Sequence, residues 1–283
     1  MPLLIEPEML ATLLKDEHLI LLDARFSLAE PKQGRVMYLQ GHIPGATYGN
    51  LEEDLSGLIV PGKTGRHPLP EPEDWLATLR SWGIDEQSQV VVYDDGSHAM
   101  AARAWWLLRW AGVFQVKILH GGMKAWLAGR YPVTADIPKR PESQHRFSTG
   151  YMPVVSAEDL LVEMESEGNG QLHKLIDARA YERFRGDEES LDPVAGHIPG
   201  AVCRPFTENL DEDGRFLSAD NLREILTSLI GEDSRPVFYC GSGVTACHNI
   251  FAMEYAGLSG ATLYPGSWSE WITDPGHPIA RGQ

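Results

Sequence analysis

The sequence predicts an α/β protein of two similar domains, each a parallel sheet flanked by helices, and an internal repeat is the main reason. The first half contains LILLDAR (19–25), GHIPGA (41–46), VVVYD (90–94) and GGMKAW (121–126). The second half contains, in the same order, HKLIDAR (173–179), GHIPGA (196–201), PVFYC (236–240) and GSWSEW (266–271). Short apolar runs that alternate with helical patterns are typical of parallel strands joined by helices.

The individual elements have local signatures. Four runs are continuously apolar, as strands buried on both faces are: LILLDA (19–24), QVVVYD (89–94), KLIDA (174–178) and PVFYC (236–240). Residues 6–18 and 71–83 begin with Pro and acidic residues and continue with apolar residues three or four apart, which predicts helices. A third helical pattern, 156–168, opens with Ser156, and Asp159 stands where a variant of the capping box needs an acceptor.

Residues 134–150 are rich in Pro, Ser and charge and have no apolar periodicity, which is typical of a linker. We therefore predict a first domain over 1–135, a linker over 136–150 and a second domain over 151–283.

Composition limits the partners and the compartment. The net charge of −16 argues against nucleic acid or an anionic membrane as a partner, since both require a basic surface. The first residues, MPLLIEPEML, lack the basic start and long apolar core of a signal peptide. Three cysteines, an odd number, do not indicate a disulfide framework. We expect a cytoplasmic protein with free thiols, and the sequence implies no metal or organic cofactor.

The repeat separates structural residues from functional ones. Features present in both halves are expected to serve the fold, and those in one half are candidates for function. We assign three repeated pairs to the fold: the turn residues His42 and His197, the ion pairs Asp23–Arg25 and Asp177–Arg179, and the core residues Trp126 and Trp271.

The halves differ where a strand meets the next helix. Alignment of Tyr93 with Tyr239 places Asp94 opposite Cys240, so only the second half has a nucleophile there. Gly241 and Gly243 permit a tight turn that aims backbone N–H groups at the sulfur, and the helix that begins near Val244 adds its positive end. Both features stabilise a thiolate. The other two cysteines, Cys203 and Cys247, are interpreted as packing residues.

These motifs, in this order, resemble the tandem-domain rhodanese family over the whole chain. The resemblance implies an inactive first domain, with Asp94 at the cysteine position, and a catalytic second domain that transfers sulfur through a persulfide on Cys240. The loop Cys240-Gly241-Ser242-Gly243-Val244-Thr245 looks like that of 3-mercaptopyruvate sulfurtransferases, whereas thiosulfate-specific relatives place basic side chains in its middle.

Arg183 matches the arginine with which the family binds the carboxylate of the donor, and the first half has Ala29 at that position. One departure concerns the second substrate arginine that mercaptopyruvate enzymes carry in an E-P-R run. Here the stretch is EESLDPVAGH, with Asp192 near that place, and Arg185 is a possible substitute.

Two residues of the first half, Glu52 and His67, fall where relatives have an acid and a histidine that reach toward the cysteine loop. The resemblance implies a relay that transfers a proton to the leaving pyruvate enolate.

The preferred function is transfer of sulfur from 3-mercaptopyruvate, through the Cys240 persulfide, to a thiol such as that of thioredoxin, or to cyanide. Thiosulfate as donor is the alternative. A phosphatase of the same fold would need Arg six residues after the cysteine, where this chain has Ala246. A binding module without catalysis fits the first half alone.

Overall fold

The computed structural model describes residues 2–166, 173–231 and 235–282, and the chain forms two compact units. The first unit comprises Met1–Gly57, Leu69–Met152 and Glu212–Phe216, and the second comprises Leu58–Pro68, Pro153–Asp211 and Leu217–Gln283. Residues 58–68 and 212–216 thus each pack with the unit formed by the other half of the sequence. We call these two stretches the exchanged segments.

The first unit contains a five-stranded parallel sheet in the order β1-β5-β4-β2-β3. Its strands are β1 (Leu4–Ile5), β2 (Leu19–Asp23), β3 (Ala46–Tyr48), β4 (Gln89–Tyr93) and β5 (Val116–Leu119). Its helices are α1 (Pro7–Leu13), α2 (Gln33–Gln40), α3 (Pro72–Ser81), α4 (Ala99–Trp110) and α5 (Gly122–Ala128).

The second unit repeats this architecture with a four-stranded parallel sheet in the order β7-β6-β8-β9. Its strands are β6 (His173–Asp177), β7 (Val202–Cys203), β8 (Arg235–Tyr239) and β9 (Thr262–Leu263). Its helices are α6 (Ala157–Glu165), α7 (Tyr181–Arg185), α8 (Ala219–Ile230), α9 (Thr245–Tyr255) and α10 (Ser267–Trp271). A single turn of 3₁₀-helix spans Phe206–Asn209.

The two parallel sheets confirm the predicted fold class. The helix predicted over 6–18 is shorter, because α1 ends at Leu13 and a turn follows. Ser156 forms the predicted capping box with Asp159, and the predicted positions 167 and 168 lie outside the described residues. Within the described ranges, no helix combines the length and the apolar character that crossing a membrane requires.

Each sheet is covered by a core that includes one repeated tryptophan. Trp126 packs with Leu21, Val91 and Leu119 in the first unit, and Trp271 packs with a corresponding cluster in the second. Both indoles are fully buried and donate to a backbone carbonyl, that of Pro132 or Pro278, at 2.9 Å. The two tryptophans are core residues, as predicted.

The repeated Asp-x-Arg pairs tie a strand end to the GHIPGA turn. In the second unit Arg179 binds both carboxylate oxygens of Asp177 and donates from Nη2 to the carbonyl of Gly196 at 2.6 Å. In the first unit Arg25 binds Asp23 in the same way and donates to the carbonyl of Gly41. These buried pairs confirm the predicted structural role.

The repeated histidines are packing residues, as predicted. His42 is buried and stacks on Tyr38 with ring centroids 4.0 Å apart, and its Nδ1 bonds to the carbonyl of Tyr38. In the other unit His197 stacks on Phe184 at 3.7 Å and bonds to its carbonyl. Each histidine therefore fixes the turn that precedes a strand.

We predict that Asp177→Ala lowers the free energy of unfolding of the second unit by about 3–5 kcal/mol, because it leaves the buried guanidinium of Arg179 without its main counterion. Asp187→Ala, which removes an exposed partner of Arg185, should cost less than about 1 kcal/mol. Urea unfolding followed by circular dichroism compares the two variants. Equal losses would contradict this account of the buried pair.

Candidate active site

The junction after the fourth strand of the first unit is equivalent to the junction after β8. Tyr93 pairs with Asp23, and Tyr239 pairs with Asp177, in the same parallel register. The carbonyl of the next residue is also bound in the same way in both units. Asp94 accepts from the N–H of Met123 at 2.8 Å, and Cys240 accepts from the N–H of Trp268 at 2.9 Å. The alignment of Asp94 with Cys240 is therefore confirmed.

In the first unit a carboxylate fills this junction. One oxygen of Asp94 accepts from the N–H groups of Gly96 and His98 at 2.9 and 3.0 Å. The other accepts from Met100 and Ala101 at 3.1 and 3.2 Å, at the start of α4. Four backbone N–H groups thus bind one buried anion. We call residues 94–99 the aspartate loop.

Burial dominates the titration of this carboxyl. It raises the pKa of Asp94 to about 6, with a smaller contribution in the same direction from the charge of Asp95. The amide hydrogen bonds act in the opposite direction and offset part of the shift. Ionised Asp94 is therefore costly to the fold, and the loop amides lower that cost.

In the second unit Cys240 occupies the position equivalent to Asp94. The residue is only 2% exposed, and its N–H donates to Oγ of Ser267 at 3.1 Å. Among the described residues, no acceptor is hydrogen-bonded to the N–H groups of Ser242 and Val244, which align with the Gly96 and His98 amides. Helix α9 begins one residue later. We call residues 240–245 the cysteine loop.

The aspartate loop and the cysteine loop differ in backbone conformation. Gly96 and His98 have positive φ in the aspartate loop, whereas Gly243 has φ of +76° in the cysteine loop. A β-carbon at Gly243 would lie 2.3 Å from the carbonyl oxygen of Pro265. This position therefore requires glycine for two reasons, conformation and space.

Arg183, the predicted substrate residue, points at the cysteine loop. It lies on α7, and its Nε donates to Glu189 at 3.0 Å while Nη2 donates to Asp192 at 2.8 Å. A β-carbon at Gly241 would lie 3.5 Å from both Nη atoms of Arg183. Arg185, the possible substitute for the missing second arginine, is exposed and bonds instead to Asp187.

A second guanidinium, which the sequence reasoning missed, lies at the same place. Nη2 of Arg66 is 2.8 Å from the position of a β-carbon at Gly241, and Nη1 forms an ion pair with Asp192. Burial and then the charge of Arg183 lower the pKa of Arg66, while Cys240 acts in the opposite direction. The charges of both Arg183 and Cys240 therefore act on Arg66.

His67 follows Arg66 in the exchanged segment 58–68, which packs in the second unit. Its buried ring is hydrogen-bonded through Nδ1 to Oγ of Ser242, 2.8 Å away. The structure therefore brings His67 to the cysteine loop. Glu52 lies in the first unit, where its side chain is exposed and its N–H donates to Asn50. Its part in a relay stays a prediction.

The exchanged segments share a signal that identifies Arg66. Gly65-Arg66-His67 in one segment corresponds to Gly214-Arg215-Phe216 in the other. Just as His67 contacts the cysteine loop, Phe216 stacks on His98 of the aspartate loop with ring centroids 5.0 Å apart. The two arginines have different partners. Arg66 pairs with Asp192, whereas Arg215 pairs with Glu6.

The other two cysteines have structural surroundings. Cys247 is fully buried on α9, and its sulfur donates to the carbonyl of Gly243. Cys203 is partly buried, and burial raises the pKa of its thiol to about 12. Both thiols are thus interpreted as packing groups, in agreement with the sequence.

Comparison with known proteins decides the family. The model of the rhodanese-like domain matches the chain twice, over residues 6–129 and 156–274. The chain belongs to the rhodanese family. It is a tandem-domain member and an enzyme of the sulfurtransferase class, which implies a small-molecule sulfur donor and a sulfur acceptor.

The relatives include enzymes named for different donors. The chain is 46% identical to the probable 3-mercaptopyruvate sulfurtransferase of Pseudomonas aeruginosa, covering 99% of this chain and 98% of that protein. It is 42% identical to the putative thiosulfate sulfurtransferase SseB of Mycobacterium tuberculosis, covering 93% and 90%. The solved structure of SseA, a 3-mercaptopyruvate sulfotransferase of Escherichia coli, matches with a TM-score of 0.81, 32% identity and coverage of 95% and 100%.

We predict that Asp94 makes the first unit less stable as the pH rises. The pKa of Asp94 is higher in the folded state than its ordinary value, so its stabilising contribution is present below about pH 4 and lost through about pH 6. Relative to Asp94→Asn, the wild type should lose up to about 3 kcal/mol between pH 4 and 7.

Urea unfolding of both proteins across this pH range measures the difference, and Asp74→Asn, at an exposed position of α3, is the control. A stability difference that does not change with pH would contradict the assignment.

Proposed function

We propose that this sulfurtransferase takes its sulfur from 3-mercaptopyruvate and carries it as a persulfide on Cys240. The thiolate of Cys240 attacks the sulfur of the donor and forms an S–S bond. The carbon–sulfur bond of the donor breaks, and its electron pair goes to the carbon of the pyruvate enolate. The donor thiol gives up its proton and the enolate takes up one proton on carbon, so that pyruvate leaves and Cys240 holds one additional sulfur atom as a persulfide anion.

The hydrogen bond between Ser242 and His67 is the observation that carries the choice of donor. Pyruvate leaves as a carbanion equivalent and needs a proton on carbon, whereas sulfite, which leaves from thiosulfate, needs none. The 2.8 Å contact joins a hydroxyl of the cysteine loop to an imidazole, a pair that can supply this proton. A site built for thiosulfate alone has no use for it.

The surroundings of Cys240 also suit the charge of the donor. The middle of the cysteine loop is neutral, with Gly241, Ser242 and Gly243, and Val244 and Thr245 complete it. Positive charge is supplied from outside the loop by Arg183, whose forked guanidinium matches a carboxylate. The backbone N–H groups of Ser242 and Val244 are the proposed partners of the persulfide anion.

The second half-reaction returns Cys240 to the thiolate. Cyanide attacks the outer sulfur and leaves as thiocyanate, or an acceptor thiol, such as that of a thioredoxin-like protein, takes the sulfur as its own persulfide. A reducing cytoplasm is the proposed setting, because the three cysteines of the chain are free thiols.

We predict that mixing the enzyme with 3-mercaptopyruvate adds the mass of one sulfur atom, as measured by intact-mass spectrometry. Cys240→Ser should gain nothing, and Cys203→Ser should gain as the wild type does. A clear preference for thiosulfate in kcat/KM would favour the alternative donor. Absence of any gain with both donors would support a binding module without catalysis.

We predict that His67→Gln slows persulfide formation from 3-mercaptopyruvate by roughly 100-fold or more, because the enolate loses its proton source. Transfer of the persulfide sulfur to cyanide should change less than about threefold, since that step places no proton on carbon. Rapid-quench mass spectrometry follows the two half-reactions separately. An equal loss in both would show that His67 supports the loop rather than the proton transfer.

A further inference from the structure

We propose that Arg66, from the first half of the sequence, is the second guanidinium of the site that binds the carboxylate of the donor. This inference rests on the proposed function, because it concerns the same site and names a specificity-determining residue for it. Residues 58–68 pack in the second unit, so Arg66 reaches the cysteine loop from an exchanged segment.

The two guanidiniums present one group each to the loop. Arg183 uses Nε and Nη2 for Glu189 and Asp192, and Arg66 uses Nη1 for Asp192. This leaves Nη1 of Arg183 and Nη2 of Arg66, which lie 3.5 and 2.8 Å from the β-carbon position of Gly241. Within the part of the chain that the structure describes, neither group is hydrogen-bonded to a carboxylate.

Asp192 is the positioning residue of this pair. One of its oxygens binds Arg66 and the other binds Arg183, and its side chain is only 2% exposed. A carboxylate shared by two guanidiniums holds them side by side despite their mutual repulsion. The acid that stands near the place of a second substrate arginine therefore fixes an arginine that comes from elsewhere in the chain.

The site is accessible to a small anion and close to the nucleophile. The side chains of Arg66 and Arg183 are 32% and 19% exposed, so neither is sealed in the core. Gly241 follows Cys240 directly, and any β-carbon there would meet Nη2 of Arg66. Two donors that converge on the residue next to the cysteine fit the carboxylate and the neighbouring keto oxygen of a 2-oxo acid.

The first test measures binding without turnover. In the background of Cys240→Ser, calorimetry should show that Arg66→Gln weakens binding of 3-mercaptopyruvate by about 10- to 100-fold. Arg66→Lys should lose less, because it keeps the charge but not the fork. Arg215→Gln is the matched control, since Arg215 is the counterpart of Arg66 in the other exchanged segment and pairs with Glu6. It should bind as the parent does.

The second test asks whether Arg66 acts on the carboxylate. Mercaptoacetone has the same thiol and ketone as 3-mercaptopyruvate but carries a methyl group instead of the carboxylate. Arg66→Gln in the otherwise wild-type enzyme should slow persulfide formation from 3-mercaptopyruvate and leave the rate with mercaptoacetone within about twofold.

Equal binding by Arg66→Gln and its parent, or an equal loss of rate with both donors, would overturn the proposal. Thermal melting verifies that each variant is folded. If Arg66→Gln does not fold, Arg66→Lys tests the proposal in its place. Failure of the proposed function would give a different result. The wild type would then gain no sulfur, while Arg66→Gln would still bind 3-mercaptopyruvate more weakly than its parent in the Cys240→Ser background.

Discussion

The architecture depends on backbone N–H groups that gather where a parallel strand ends and a helix begins. Such groups have no acceptor within the strand or the helix, so they need one from elsewhere when buried, and the positive end of the helix favours an anion. In the first unit the carboxylate of Asp94 supplies that partner. In the second unit Cys240 occupies the same position, with the shorter side chain and an ionisable sulfur. One junction thus serves as a structural anion site in one unit and as the proposed persulfide site in the other.

The exchanged segments account for the proposed difference in chemistry between two similar units. Segment 58–68 brings a histidine and an arginine to the cysteine loop, whereas segment 212–216 brings Phe216 to the aspartate loop. Phenylalanine can fill space but cannot transfer a proton, so Phe216 cannot take the role proposed for His67. The difference between the units therefore lies in two places, the residue at the strand end and the residue that each exchanged segment presents.

Much of this could be predicted from the sequence, because the repeat supplies its own comparison. The parallel sheets, the equivalence of Asp94 and Cys240 and the structural role of His42 follow from local patterns that occur twice. The resemblance implied that His67 reaches the cysteine loop, but the matching exchange of segment 212–216 could not be predicted, since long-range packing decides which unit a loop contacts. Arg66 was missed for a related reason: the loops that carry Arg66 and Arg215 differ in length, which hides their correspondence. The end of α1 was also missed, because neither Gly nor Pro marks it.

The most direct test of the central claim replaces the sulfur with the anion that the first unit already uses. The melting temperatures and crystal structures of Cys240→Asp and Cys240→Ser should be compared near neutral pH. If the cysteine loop is an anion site, the carboxylate at position 240 accepts from the N–H groups of Ser242 and Val244, and Cys240→Asp loses no more stability relative to Cys240→Ser than the about 3 kcal/mol expected for Asp94 near neutral pH. A carboxylate turned away from the loop, together with the large destabilisation that an uncompensated buried charge causes, would contradict the account.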